Sequence, residues 1–122
     1  MQKILIVEDD PLIQHLVYAT LAGDARYQLL QASEGQSGLR LARTEHPAIV
    51  LLDVDLPFMS GLEICSELKN DQACRDIKII MLTALSQATD RERAKQAGAD
   101  SYFVKPFSPL GLLRKIDELL AE

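Results

Sequence analysis

The sequence predicts an α/β domain: a doubly wound, five-stranded parallel sheet in the order 2-1-3-4-5, with five helices shared between its two faces. Three observations carry this. Five short apolar runs (Ile4–Val7, Tyr27–Gln31, Ile49–Leu52, Ile77–Leu82 and Tyr102–Val104) alternate with helix-period stretches of roughly 10 to 13 residues. The first and third runs are apolar throughout and the fourth is so from Ile79 to Leu82, as strands covered on both faces are. The second is mixed and the fifth has polar ends, Ser101 and Lys105, which suits the edges of a sheet. Right-handed crossovers then favour the order given.

Each element has local support. After Ile4–Val7, Asp10-Pro11 supplies an N-cap and a proline at the first helical position. The helix it opens puts Ile13, Leu16, Val17 and Leu21 on one face and ends at Gly23. The mixed strand Tyr27–Gln31 leads to Ser33-Glu34-Gly35-Gln36, a capping box for the second helix. Ile49–Leu52 is too short and too apolar for a surface helix and reads as a buried strand. Ser60-Gly61-Leu62-Glu63 is a second capping box, opening the third helix. The fourth helix, Ser86 to Ala97, offers Ala88, Ala94 and Ala97 where larger anchors could sit, and Gly98 ends it. So little apolar area predicts weak anchoring. Ser108-Pro109 repeats the first device and opens a last helix carrying Leu112, Leu113, Ile116, Leu119 and Leu120.

A chain of 122 residues is one domain, large enough to bury roughly two-thirds of its unfolded surface. A net charge of -5 and a pI near 5.0 oppose non-specific binding to nucleic acid or an anionic membrane. No apolar run approaches the roughly 20 residues of a membrane span. Met1-Gln2-Lys3 enters the first strand without a signal peptide, and Cys65 and Cys74 form no C-x-x-C pair. A cytoplasmic location with free, partly buried thiols is expected. His15 and His46 read as ordinary surface residues.

The residues after each strand carry the chemistry. The first strand ends in Glu8-Asp9-Asp10, the third in Asp53, the fourth in Thr83-Ala84 and the fifth in Lys105-Pro106. In a parallel sheet all of these lie along one edge, where open α/β sheets bind their ligands. Carboxylates so close repel, so some must protonate or a cation must bind. Oxygen ligands without a Cys/His cluster suit Mg²⁺, which keeps several waters and recruits phosphate. Asp53 is then the expected nucleophile for an aspartyl phosphate, with Mg²⁺ on Asp9 bridging to a phosphoryl oxygen. Lys105 and the Thr83 hydroxyl are placed to contact the remaining oxygens.

From end to end the chain resembles the receiver domain of bacterial two-component response regulators, the chemotaxis regulators among them. The resemblance lies in Ile4-Leu5-Ile6-Val7-Glu8-Asp9-Asp10, Leu52-Asp53-Val54-Asp55-Leu56-Pro57-Phe58-Met59-Ser60-Gly61, Met81-Leu82-Thr83-Ala84 and Gly98-Ala99-Asp100-Ser101-Tyr102-Phe103-Val104-Lys105-Pro106-Phe107. It implies a flavodoxin-like receiver spanning 1–122 that accepts a phosphoryl group on Asp53 and is not a turnover enzyme. It also implies that Glu8 and Asp9 form an acidic pair, Glu8 acting indirectly, with Mg²⁺ held by Asp9, Asp53 and the main-chain carbonyl of Asp55. A cis bond between Lys105 and Pro106 is implied, as is a switch aromatic at Tyr102 working with Thr83. The implied partners are a histidine kinase or histidine phosphotransfer protein and a downstream protein or output domain, with no direct nucleic-acid or membrane binding by this chain. Ser60 departs from the family's usual Asp but is an equal helix cap. Asp55 and Leu85 occupy variable positions that tune phosphoryl lifetime. The expected output surface is the fourth helix, fifth strand and fifth helix. Arg91 matches the charge pattern of dimerising DNA-binding relatives, whereas Gly111, Ser101 and Glu122 depart from it, so that charge-paired dimer is not expected.

Two other readings are weaker. Asp53-Val54-Asp55 fits the D-x-D of haloacid-dehalogenase-like phosphatases, but Pro57 stands where those carry Thr, and the acidic pair Glu8-Asp9 precedes the nucleophile. A flavodoxin-class flavin site would need phosphate donors where Glu8-Asp9-Asp10 would repel one.

Overall fold

The structure, a computed structural model, describes residues 2–84 and 88–121. Its strands β1 (Gln2–Val7), β2 (Tyr27–Ala32), β3 (Ile49–Asp53), β4 (Lys78–Thr83) and β5 (Ser101–Val104) form one parallel sheet in the order β2-β1-β3-β4-β5. Helices α1 (Pro11–Ala22), α2 (Gly35–Glu45), α3 (Gly61–Asn70), α4 (Ala88–Gln96) and α5 (Pro109–Leu120) alternate with them.

Alternation along each buried strand divides the core in two. Leu5, Val7, Val50, Leu52, Ile79 and Met81 face α2, α3 and α4, meeting Leu39, Ala42, Ile64, Leu68 and Ala94. Ile4, Ile6, Ile49, Leu51, Ile80 and Leu82 face the other way, against Val17 and Leu21 of α1 and Leu112, Ile116 and Leu119 of α5. Each such side chain stabilises the fold by roughly 1.5–3 kcal/mol on burial, which makes register slips costly.

Strand ends differ from the apolar runs because ladder hydrogen bonds, not side-chain polarity, set them. Asp53 joins β3 by pairing with Leu82, and Thr83 joins β4 by pairing with Val104. The strand at Ile77 begins one residue late, because the Ile77 amide bonds the Cys74 carbonyl and closes a turn. Asp10, Ser60 and Ser108 cap α1, α3 and α5 as expected, accepting from Leu12, Leu62 and Gly111 amides. The second helix departs from its capping box: its N-cap is Glu34, not Ser33, and the cap makes no side-chain bond. Gly35 explains the shift, since a Cβ there would sit 3.0 Å from Ile64 Cδ1 and 3.1 Å from Met59 Cβ, and close packing against α3 governs the start.

One further expectation, the buried place of Leu16, is corrected, while Gly23 and Gly98 end their helices and His46 is exposed as expected. Leu16 is 41% exposed, so the buried face of α1 narrows to Val17 and Leu21 with Ile13 partly covered. Gly23 ends α1 in a right-handed conformation, whereas Gly98, at φ +98°, takes the left-handed one. His46 also ends a helix in the left-handed region, at φ 48°, and its Nε2 lies 2.6 Å from the Ala73 carbonyl and 3.2 Å from Asp76. It clips two loops together at the edge opposite the acidic strand ends. Residues Leu85 and Ser86, and Glu122 of the dimer comparison, lie outside the described residues.

Beyond the ladder, Gly61 helps fix the position of Asp53. A Cβ there would stand 2.1 Å from the Asp53 carbonyl oxygen, and the Gly61 amide bonds the Val54 carbonyl at 2.9 Å. The start of α3 is therefore pressed against the exit of β3, backbone on backbone. Gly61→Ala is expected to cost about 3 kcal/mol or more, since backbone must move to admit the methyl. Gly23→Ala, with open space around it and ordinary φ, should be neutral or stabilise by about 0.4–1 kcal/mol. Urea midpoints of the two variants check the contrast; equal, small effects would show the Gly61 approach to be unimportant.

Candidate functional site

The pairing of β1 with β3, Val7 opposite Leu52, brings the next residues Glu8 and Asp53 side by side. The pairing of β4 with β5 does the same for Thr83 and Lys105, whose amide donates to the Thr83 carbonyl at 2.7 Å. Lys105 then reaches across the strand ends. Its ammonium lies 2.8 Å from Glu8 Oε2 and 3.3 Å from Asp53 Oδ1. The peptide between Lys105 and Pro106 is cis, as the resemblance implied.

Glu8 and Asp53 are 1% and 3% exposed, and Thr83 is wholly buried. Each acid is held by backbone. Glu8 Oε1 accepts from the Asp10 amide at 3.2 Å, and Asp53 Oδ1 accepts from the Asp55 amide at 3.3 Å. Glu8 Oε2 is held by the Lys105 ammonium. Asp9 is exposed at the mouth, and Asp10 serves as the cap of α1. Gln14 was not singled out from the sequence, yet its amide donates to the carbonyls of Glu8 and Ala32 at 3.2 and 3.3 Å, tying the ends of β1 and β2. Its position four residues after the cap, on the turn facing the sheet edge, is the available signal.

Charges here are out of balance: three carboxylates, Glu8, Asp9 and Asp53, surround one ammonium. Burial pushes the Glu8 carboxyl up to about 7; the Lys105 ammonium opposes this and the Asp53 charge reinforces it. Asp53 is also raised, by burial first, against the pull of Lys105 and the Asp55 amide. Burial works to lower Lys105, but Glu8 and Asp53 together outweigh it and hold the ammonium charged. One carboxylate oxygen from each of Glu8, Asp9 and Asp53 lies within 4.8 Å of the others. Hard oxygens and excess negative charge make this cluster compatible with Mg²⁺.

The structure thus brings Glu8, Asp9, Asp53 and Lys105 together, with the Asp55 amide on Asp53. Thr83 and Tyr102 form a second group beside them, joined by a hydrogen bond between their side chains. The Arg91 guanidinium covers the Tyr102 ring at 5.3 Å from its centroid. Ser101 lies in β5, and the Gly111 amide donates to Ser108 Oγ at 3.2 Å in the first turn of α5. Phe58, at φ 68° and fully exposed beside the site, carries no signal in the sequence, because a turn after proline favours small residues there. Among the described residues, no helix is long and apolar enough to cross a membrane.

The chain is 39% identical over 120 residues to the DNA-binding dual master transcriptional regulator RpaA of Synechocystis, covering 98% of this chain and 49% of that protein. It spans about half the length of the first curated relatives it matches. With the polar-differentiation response regulator DivK of Brucella ovis it shares 35% identity over 121 residues, covering 99% of this chain and 98% of that one. Among solved structures, the receiver domain of the sensor histidine kinase PA1611 from Pseudomonas aeruginosa superposes with a TM-score of 0.90 at 31% identity, covering 99% and 98% of the two chains. That receiver has a magnesium ion coordinated in its active-site cleft. The sequence model of the response regulator receiver domain matches residues 4–117, and with the fold and the acidic strand ends this establishes that the chain belongs to the response regulator receiver family.

Proposed function

We propose that this chain, residues 1–122, is a phosphoacceptor receiver domain in which Asp53 takes a phosphoryl group from a histidine kinase or histidine phosphotransfer protein. One observation carries the reading: the Asp53 carboxylate is buried at the end of β3, 3.3 Å from an ammonium and within reach of two more carboxylates. An Asp oxygen attacks phosphorus, the bond from phosphorus to the donor nitrogen breaks, and an acyl phosphate forms while the imidazole leaves. Asp9, Asp53 and the Asp55 main-chain carbonyl would hold Mg²⁺, with Glu8 acting indirectly. When bound, Mg²⁺ supplies positive charge against the carboxylates and the phosphoryl oxygens.

The chain's own residues do the rest. Lys105, already charged and aimed at Asp53, can exchange a carboxylate partner for a phosphoryl oxygen without leaving its place. Thr83 can turn its hydroxyl toward the new group, and in doing so gives up Tyr102. The donor would dock on this edge. Leu12, Phe58 and Leu110 are exposed large apolar residues, each shortly after a strand end that carries a site residue. The output would be read from the α4-β5-α5 surface by a downstream protein or an output domain, without the charge-paired dimer. This is a signalling domain acting on its own aspartate, in the cytoplasm, and not a turnover enzyme.

Three outcomes test the reading. Intact-mass spectra should show one phosphoryl group added by acetyl phosphate only with Mg²⁺ present, and none on Asp53→Asn; full labelling of that variant would overturn the assignment. Asp9→Ala should leave the metal-free protein as stable or more stable, because repulsion falls, while the melting shift produced by Mg²⁺ shrinks toward zero. A full shift in that variant would remove Asp9 from the ligands. The third is a pH effect. Unfolded Glu8 loses its proton near 4.5, whereas the folded form keeps it until about 7. The folded state binds more protons between those values, so stability without metal should fall as pH rises from about 5 to 7. The slope should reach at most about 1.4 kcal/mol per pH unit. Denaturation at both pH values measures it, and Glu8→Gln should flatten it; an unchanged slope would place the effect elsewhere.

A further inference from the structure

The helix α4 is mostly polar and buries one side chain, Ala94. Its C-terminal end is nonetheless well held. Cys65 Sγ donates to the Ala97 carbonyl at 3.4 Å, and Gly98 turns the chain at φ +98°. Asp100 accepts from the Ile79 amide at 2.8 Å and pairs with Lys69 at 2.9 Å, and Lys69 also donates to the Ile77 carbonyl at 2.8 Å. The first half of the helix has nothing comparable in apolar burial. What it does have is Arg91, whose guanidinium lies over the Tyr102 ring, 5.3 Å from the centroid. A second cation–ring contact among the described residues, Arg26 over Tyr27, joins adjacent residues, whereas this one joins α4 to β5.

Tyr102 is thus gripped twice, by the Thr83 side chain at its hydroxyl and by Arg91 on its face. Beside the ring lies a crevice of about 160 Å³, lined by Val54, Asp55, Leu62, Asp90 and Arg93, into which an aromatic side chain can turn. We infer that Arg91 is a positioning residue that acts through Tyr102: its stack holds the ring and the first half of α4 in the unphosphorylated arrangement, and so sets how readily phosphorylation of Asp53 becomes movement of the helix. The inference rests on the phosphoacceptor reading above. When Thr83 turns toward the phosphoryl group, the hydroxyl grip is released and the stack is what still opposes rotation of the ring. Because linkage is reciprocal, a contact that favours the resting state must weaken binding of whatever favours the switched one.

The test is calorimetric titration of beryllofluoride, as a phosphoryl mimic, into the whole chain with saturating Mg²⁺. An exposed cation–π contact predicts that Arg91→Ala binds about two- to fivefold tighter than wild type. Arg91→Lys, which keeps the charge but not the planar guanidinium, should fall between. In a Tyr102→Leu background, Arg91→Ala should change nothing. Simple loss of a positive charge near an anion predicts the opposite sign, weaker binding, in both backgrounds. A merely structural role predicts a lower melting temperature with unchanged affinity. Either of those results, or equal tightening with and without Tyr102, overturns the inference while leaving the phosphoacceptor reading intact. If wild type itself shows no Mg²⁺-dependent binding of beryllofluoride, both fall.

Discussion

The constraint on which the structure turns is the burial of two carboxylates, Glu8 and Asp53, beside a single ammonium. A buried charge is tolerable only when it is paired and hydrogen-bonded, and one Lys105 cannot fully satisfy two acids plus Asp9 at the mouth. The remainder appears as raised proton affinity on both acids. In this state the site is under electrostatic strain that added positive charge relieves. A fold would discard such an arrangement if its only task were stability.

The sheet carries that strain because the site residues are strand residues or their immediate neighbours. Asp53 and Thr83 lie inside the ladder, and Glu8 and Lys105 directly follow paired positions. Their backbones are fixed by the same hydrogen bonds that hold the core together. Gly61 adds a second restraint by letting the start of α3 press on the Asp53 carbonyl, and Gln14 adds a third by tying the ends of β1 and β2. Preorganisation of this sort is what electrostatic chemistry needs, because no reorganisation remains to be done when the charge arrives.

Stability is supplied elsewhere, and unevenly. Two apolar layers hold α1, α2, α3 and α5, while polar clips work away from the site: Arg26 bridges Asp24 and Asp117, Lys69 meets Asp100, and His46 reaches Ala73 and Asp76. The helix α4 is the exception, anchored chiefly at its C-terminal end and touching β5 through Arg91 and Tyr102. A rigid site beside one loosely held helix is a physical basis for converting a local change of charge into a change of surface.

Much of this was legible in the sequence, and for a definite reason. Strand order, the two edges, three of the four marked helix caps and the convergence of Glu8, Asp9, Asp53 and Lys105 follow from local chemistry and from parallel topology, which sends every strand end to one side. The family pattern pointed to the cis bond at Lys105. Tertiary structure alone decided the rest. Which acid is buried depends on pairing register, so Glu8 lies inside and Asp9 outside although they are adjacent. The exposure of Leu16 depends on how far α5 and the sheet cover α1, and the shifted start of α2 depends on Gly35 meeting Ile64. Gln14, the His46 clip and the Arg91 stack join residues from different elements. No spacing along the chain encodes such distances, because they exist only once two separately formed elements are packed together.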